Sequence, residues 1–169
     1  MEFKKSTKKD IEDIMNIIKQ AQEYLKMNNI DQWQNGYPDE DAIYNDITKD
    51  ISYKITKDNK LIGTAAISFE TEETYKKIYE GEWLSNSKYA VIHRIAIDNE
   101  YKKFGAATYI LHKVEQLCEN KKVESIKIDT HEGNLAMQGL LKKNGFEYCG
   151  IIYLRDKSKR IAFEKLIKN

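Results

Sequence analysis

Asp98-Asn99-Glu100-Tyr101-Lys102-Lys103-Phe104-Gly105-Ala106-Ala107 joins an apolar run to an amphipathic one, and holds two lysines, a glycine and two alanines. Small residues let a ligand approach the backbone, and the unpaired N–H groups at a helix start attract anions. The chemistry this spacing supports is a cradle for phosphate or pyrophosphate, although an ordinary strand-to-helix turn has the same composition. The G-x-G-x-x-G dinucleotide fingerprint and the GK[ST] phosphate loop are both absent. His93, in the preceding apolar run, shares a face with Val91 and Ile95 by strand alternation. Histidine ionises near neutral pH and suits a base, directly or through water; the plainer alternative is a satisfied sheet histidine. Asp129-Thr130-His131-Glu132 contains metal-ligand types, but adjacent strand residues point to opposite faces, which argues against a shared ion. Cys118 falls on an apolar helical stripe and reads as core. Cys118 with His112, or Cys149 with a histidine, makes a poor nucleophile pair.

These residues need elements to position them. Glu2 to Ser6 is a short strand candidate. Thr7-Lys8-Lys9-Asp10 is a capping signal, and Ile11, Ile14, Met15, Ile18, Ala21 and Leu25 then repeat at helical spacing to about Met27. Asn28 to Gly36 is polar and irregular. Pro38-Asp39-Glu40-Asp41 reads as a helix start with proline in the first turn, and the helix continues through Ile43 and Ile47 to about Asp50. Ser52–Lys57 and Lys60–Phe69 are strands joined by the hairpin turn Asp58-Asn59. Glu70 to Lys88 is a long polar segment, which implies an element or a function of its own. Ala90–Ile97 is a nearly continuous apolar strand, as expected near a sheet centre. From Gly105 onward Ala107, Ile110, Leu111, Val114, Leu117 and Cys118 mark a helix face. Ser125–Thr130 is a strand, a helix runs from Asn134 to the stop Asn144-Gly145, and Phe146–Leu154 and Arg160–Leu166 close the chain. The order β-α-α-β-β-β-α-β-α-β-β describes a mixed α/β sheet with one crossover, Ala90–Thr130, whose strands run parallel.

The chain has 169 residues, 28 basic and 27 acidic, for a net charge of +1. That balance argues against a nucleic acid or an anionic membrane as main partner. No apolar run approaches the roughly 20 residues of a membrane span, and MEFKKSTKKD has no apolar stretch behind its charges, unlike a signal peptide. Two distant cysteines rule out a disulfide framework or a cysteine-rich zinc site. One proline and no linker-like or repeated stretch give the expectation of one cytoplasmic domain over residues 1–169.

Lys102-x-x-Gly105-x-Ala107 resembles the [QR]-x-x-G-x-[GA] signature of the GNAT superfamily of N-acetyltransferases. Arg94-Ile95-Ala96-Ile97-Asp98 is similar to that family's strand before the signature. Asn134-x-x-Met137-x-x-Leu140, followed by Asn144-Gly145-Phe146, resembles its N-x-x-A-x-x-[LF]…G-F segment. The pieces come in the family's order and spacing, and so do the elements. The resemblance implies a GNAT-like acyl-CoA N-acyltransferase fold, a mixed and centrally splayed sheet flanked by helices.

It also implies acetyl-CoA as co-substrate, no metal, and direct attack by an amine within a ternary complex. Ile95, Ala96 and Ile97 would meet the pantetheine arm. Lys102, Lys103, Phe104, Gly105, Ala106, Ala107 and Thr108 would hold the pyrophosphate, and Asn134 would contact the arm from the other strand's side. Trp33, Tyr37, Tyr75, Tyr79 and Trp83 are candidates for the acceptor site, with packed connections as their plainer reading. Lys102 replaces the usual arginine or glutamine. Leu141 stands where many members carry the tyrosine thought to protonate the departing thiolate, so either another group such as Tyr148 or Tyr153 is the acid or the thiolate leaves unassisted, with His93 as candidate base. The acceptor is expected to be a small-molecule amine rather than a peptide N-terminus or lysine, with a homodimer as the candidate assembly. A non-catalytic acyl-CoA-binding or regulatory module is the alternative that Leu141 keeps open.

Overall fold

Apolar residues that switch between periods of two and about 3.6 build the elements of the computed structural model, which describes residues 1–168. In chain order they are β1 (Glu2–Lys5), α1 (Ile11–Met27), α2 (Glu40–Thr48), β2 (Ser52–Lys57), β3 (Lys60–Ser68), β4 (Tyr89–Ile97), α3 (Ala106–Lys121), β5 (Ser125–Thr130), α4 (Leu135–Lys143), β6 (Glu147–Tyr153) and β7 (Lys159–Leu166). The strands form a seven-stranded mixed sheet in the order β1-β2-β3-β4-β5-β7-β6, and four helices flank it. The chain makes two compact units, Met1–Ile67 with His93–Lys113, and Ser68–Ile92 with the residues from Val114 on. β4 and α3 each contribute to both.

In the first unit β1, β2 and β3 pair antiparallel, with Glu2 opposite Thr56 and Ser52 opposite Ala66. Asp58 and Asn59 both take positive φ, 50° and 62°, which a two-residue hairpin loop requires. The carboxylate of Asp10 accepts the Thr7 backbone N–H at 2.7 Å and the Thr7 hydroxyl at 3.1 Å, and both its oxygens accept Lys54 Nζ at 2.8 Å. The Thr7 cap serves a 3-10 turn, Lys8–Asp10, which leads into α1. Ile14, Ile17 and Ile18 of α1 bury against Ile43, Leu61 and Ala96, with Trp33 packed on this cluster. Asp39, not Pro38, starts α2: its side chain accepts the Ala42 N–H at 2.9 Å, and Pro38 precedes the cap instead of occupying the first turn. The helix stops at Thr48, short of Asp50, whose φ of 58° is left-handed.

In the second unit β4 runs parallel to β5, with Ala90 opposite Ile126, and β5-β7-β6 are antiparallel. Gly145, at φ 83°, ends α4 as Phe146 N–H returns to the Leu141 carbonyl at 3.0 Å. The polar stretch after β3 forms a 3-10 turn, Glu73–Tyr75, and then straps the edge strand β6. Tyr79 and Ile151 exchange both backbone hydrogen bonds at 2.8 Å. Gly81 packs so tightly that a Cβ there would sit 2.0 Å from the Cys149 carbonyl oxygen. Leu84 N–H and the Ser85 hydroxyl then donate to Glu164 at 2.6 and 2.9 Å. Pairing this edge removes a template for aggregation.

Candidate functional site

The central strand delivers its last residues, Ile95 to Ile97, to a turn that is held from several sides within the first unit. Asp98 N–H bonds to the Ile62 carbonyl at 2.8 Å, and the Asp98 carboxylate accepts Glu100 N–H at 2.9 Å. Gln20 of α1 clamps the same place: its oxygen accepts Asn99 N–H at 2.7 Å and its nitrogen donates to Asp98 at 3.4 Å. A 3-10 turn, Asn99–Tyr101, follows, and Tyr101 N–H returns to the Asp98 carbonyl at 2.9 Å.

Beyond the turn Gly105 adopts φ 76°, and a Cβ built there would meet nothing within 4 Å. Its carbonyl accepts Tyr109 N–H at 2.9 Å, so α3 begins here with the positive end of its dipole at this turn. That first turn contains no acidic residue. Lys102, Lys103, Phe104 and Gly105 are exposed, Ala106 is fully buried, and Ala107 and Thr108 are half-buried. The Lys102 ammonium lies 4.3 Å from the Tyr24 ring centre, and partial desolvation of this group lowers its pKa. The result is a braced loop with open space over a left-handed glycine at the positive end of a helix. Its chemistry fits an anion.

His93 and Arg94 lie just upstream. Arg94 has φ 51° within β4, so the two-residue alternation that would put His93 on the face of Ile95 does not carry through this position. A left-handed residue within a strand re-aims the side chains around it. The Arg94 guanidinium grips Asp46 of α2 with two 2.6 Å hydrogen bonds and donates a third, at 2.7 Å, to the Tyr37 hydroxyl. Burial alone would depress this guanidinium; Asp46 and Tyr37 more than offset it and hold its pKa above the ordinary value. Trp33 is half-buried on the α1 core, whereas Tyr37 is 42% exposed.

The remaining candidates belong to the second unit. Tyr75 is buried, packs on Trp83 at 5.2 Å between ring centres, and donates to Asp129 at 2.6 Å. Burial, and then the charge and hydrogen bond of Asp129, push its phenol well above the usual range, so it keeps its proton. Tyr79 meets Tyr153 edge-on at 5.2 Å, Tyr148 meets Phe163 edge-on at 5.8 Å, and all three tyrosines are exposed. The Asn134 side chain caps α4 by accepting Met137 N–H at 3.2 Å. Leu141 is completely buried. Glu132 pairs with Lys159 at 3.0 Å, and no group of three potential metal ligands occurs among the described residues.

Several supporting residues carried no signal in the sequence. Gln20 is one polar residue among many on α1. Arg94 and Asp46 are 48 positions apart. Lys127 and Glu164 sit at strand positions of the kind that usually face water, yet both are buried, and Trp83 and Tyr89 stack around the Lys127 ammonium at 4.3 and 4.2 Å.

The model of the GNAT acetyltransferase family matches residues 12–146 of the sequence. A GNAT-family acetyltransferase from Streptococcus agalactiae 2603 is 34% identical, with a TM-score of 0.91 over 99% of this chain and 96% of that one. The PaiA N-acetyltransferase of Thermoplasma acidophilum, solved with coenzyme A, is 16% identical, with a TM-score of 0.72 over 98% of both chains. The ribosomal-protein-S18-alanine N-acetyltransferase of Escherichia coli is 15% identical, with a TM-score of 0.68 over 99% of this chain and 94% of that one. Among curated proteins none matches.

Proposed function

We propose that this chain, which belongs to the GNAT acetyltransferase family, transfers the acetyl group of acetyl-CoA to the amine of a small molecule. Acetyl transfer from acetyl-CoA to an amine is the family's chemistry; the small acceptor is our reading. The observation that carries it is the braced turn before α3, where the left-handed Gly105 leads with open space above it into a helix whose first turn has no acidic residue. In this reading the backbone from Lys102 to Thr108 holds the pyrophosphate, Ile95 to Ile97 follow the pantetheine arm, and Asn134 assists from α4. One domain spans residues 1–169.

The amine nitrogen attacks the acetyl carbonyl, the C–S bond breaks, and the coenzyme leaves as thiolate. Most amines are ammonium ions at neutral pH, so a proton must first be removed. His93 is the candidate base, and the exposed Tyr148 and Tyr153 are candidate acids in place of a residue at the buried Leu141. Direct transfer is favoured over an acetyl-cysteine intermediate because both thiols are poor nucleophiles. Burial, aided by Glu115 and Glu119, pushes Cys118 to about 12, and burial with Glu164 pushes Cys149 to about 11.

Trp33, Tyr37, Tyr79 and Trp83 are assigned to the acceptor side. The buried Tyr75 packs on Trp83 and supports that residue. Thiol release from acetyl-CoA, measured with a panel of small amines and an alanine-terminated peptide, tests the reading. Amine-dependent release with small amines supports it; release with the peptide alone moves the acceptor to a protein terminus. Coenzyme binding without release with any acceptor identifies a sensor.

A further inference from the structure

We infer that the Tyr37 hydroxyl is a specificity-determining donor to a carbonyl-type oxygen on the acceptor, and that Arg94 and Asp46 are its positioning residues. The inference rests on the reading above that Tyr37 lies on the acceptor side.

A guanidinium donates hydrogen bonds and accepts none. The 2.7 Å contact from Arg94 Nη1 therefore uses a lone pair of the Tyr37 oxygen and leaves the phenolic proton free to point elsewhere. Tyr37 makes no other side-chain hydrogen bond among the described residues, and it is 42% exposed. The oxygen is thus held in place while its proton remains available to a further acceptor.

The fixing is unusually firm. Nε and Nη2 of Arg94 straddle the two Asp46 oxygens at 2.6 Å each, the bidentate geometry that locks a guanidinium in plane. Both side chains are largely buried, with exposures of 15% and 8%. Asp46 stands on α2, whose Ile43 is anchored in the core of the unit. Arg94 reaches this position from a strand residue with left-handed φ of 51°, a conformation that persists in non-glycine residues only when the surroundings over-determine it.

The pair is electrically neutral as a whole, so what Tyr37 presents is a directed O–H rather than a positive charge. The matching chemistry is an oxygen that accepts a hydrogen bond, in an amide or a carboxylate. A bare alkylamine has no such group.

The test is steady-state kinetics on three amines with a common skeleton: β-alanine, β-alaninamide and propylamine. Tyr37→Phe keeps the ring and removes only the exposed hydroxyl. It should raise KM for the two oxygen-bearing amines five- to tenfold relative to propylamine, and more for the carboxylate if its charge strengthens the bond. Arg94→Lys, which keeps the charge but loses the fork, should reproduce that selective loss, with coenzyme binding in calorimetry like that of the parent. A Tyr37→Phe variant that changes KM equally for all three amines, or for none, overturns the inference while the acetyltransferase reading stands. A parent protein that acetylates none of the three, nor any other small amine, overturns both.

Discussion

Gly105 shows how one residue type can carry an argument about binding. Its φ of 76° is costly for any residue with a side chain, while the space around it is open. Gly105→Ala therefore carries roughly 1 kcal/mol of backbone strain without a clash. Gly105→Glu adds a carboxylate beside the proposed pyrophosphate, and like charges at about 4 Å repel by roughly 1–4 kcal/mol between watery and surface dielectrics. Calorimetric titration with coenzyme A should show a modest loss for alanine and a loss of at least about tenfold for glutamate, with unchanged circular dichroism. Equal, small losses would remove the cradle from this turn. His93 is the other residue whose type alone suggested chemistry. General-base help is typically worth about 10²–10⁴-fold, so His93→Gln, which keeps a polar side chain, should lower turnover at saturating amine by more than about tenfold. A folded His93→Gln variant with full turnover makes the histidine structural and moves deprotonation to solvent or to a carboxylate.

At the scale of elements, the entry to α1 depends on Asp10. Burial alone would raise this carboxyl, but the Lys54 hydrogen bond, the Thr7 N–H and the Lys54 charge together take it below its ordinary value. A depressed carboxyl contributes stability that is present above the unfolded value of about 3.9 and lost as pH falls through the folded value. Asp10→Asn should cost about 1–2 kcal/mol at pH 7. In thermal melts the parent and the variant should converge as pH drops below about 4; a constant gap would show that the carboxylate charge is irrelevant. Most elements were legible because their cause is local. The isoleucine spacing of α1, the Asp58-Asn59 turn and the Asn144-Gly145 stop each act within a few residues, and their ends agree closely with the structure. The start of α2 was misread because proline suits the position before a cap as well as the first turn, and only the Asp39 side-chain bond decides between them. The left-handed backbone of Arg94 and its grip on Asp46 and Tyr37 were hidden because they rest on contacts distant in sequence. The turn proposed to hold the coenzyme drew attention by its spacing, whereas its brace, Gln20, gave no such signal.

For the molecule as a whole, a nearly neutral charge balance conceals where charges are buried. In the second unit Lys127 and Glu164 face one another across β5 and β7, at 4% and 0% exposure. Glu164 also accepts the Ser125 hydroxyl at 2.5 Å, besides its two bonds from the strap. The strap and the sheet therefore share one carboxylate, and removing its charge tests both at once. Burial lowers the Lys127 pKa, and the Glu164 charge partly counters that fall. A lysine with a depressed folded value binds fewer protons than the unfolded chain does, up to its ordinary value of about 10.4. Stability therefore rises with pH through that window. In Glu164→Gln the counterweight is gone, so the folded value drops further and the window opens toward neutrality. Glu164→Gln also takes the charge from three hydrogen bonds, and a bond to a charged group is worth about 1.5–3 kcal/mol, so urea denaturation at pH 7 should show a loss of at least that order. At pH 9 the variant should recover more than the parent does, because part of the uncompensated charge has been titrated away. Adding Lys127→Met to Glu164→Gln should recover stability at pH 7, since the orphaned ammonium is then absent. Equal losses at both pH values, with no recovery in the double variant, would show that Glu164 acts only through its three hydrogen bonds and that Lys127 is held by its two aromatic rings alone.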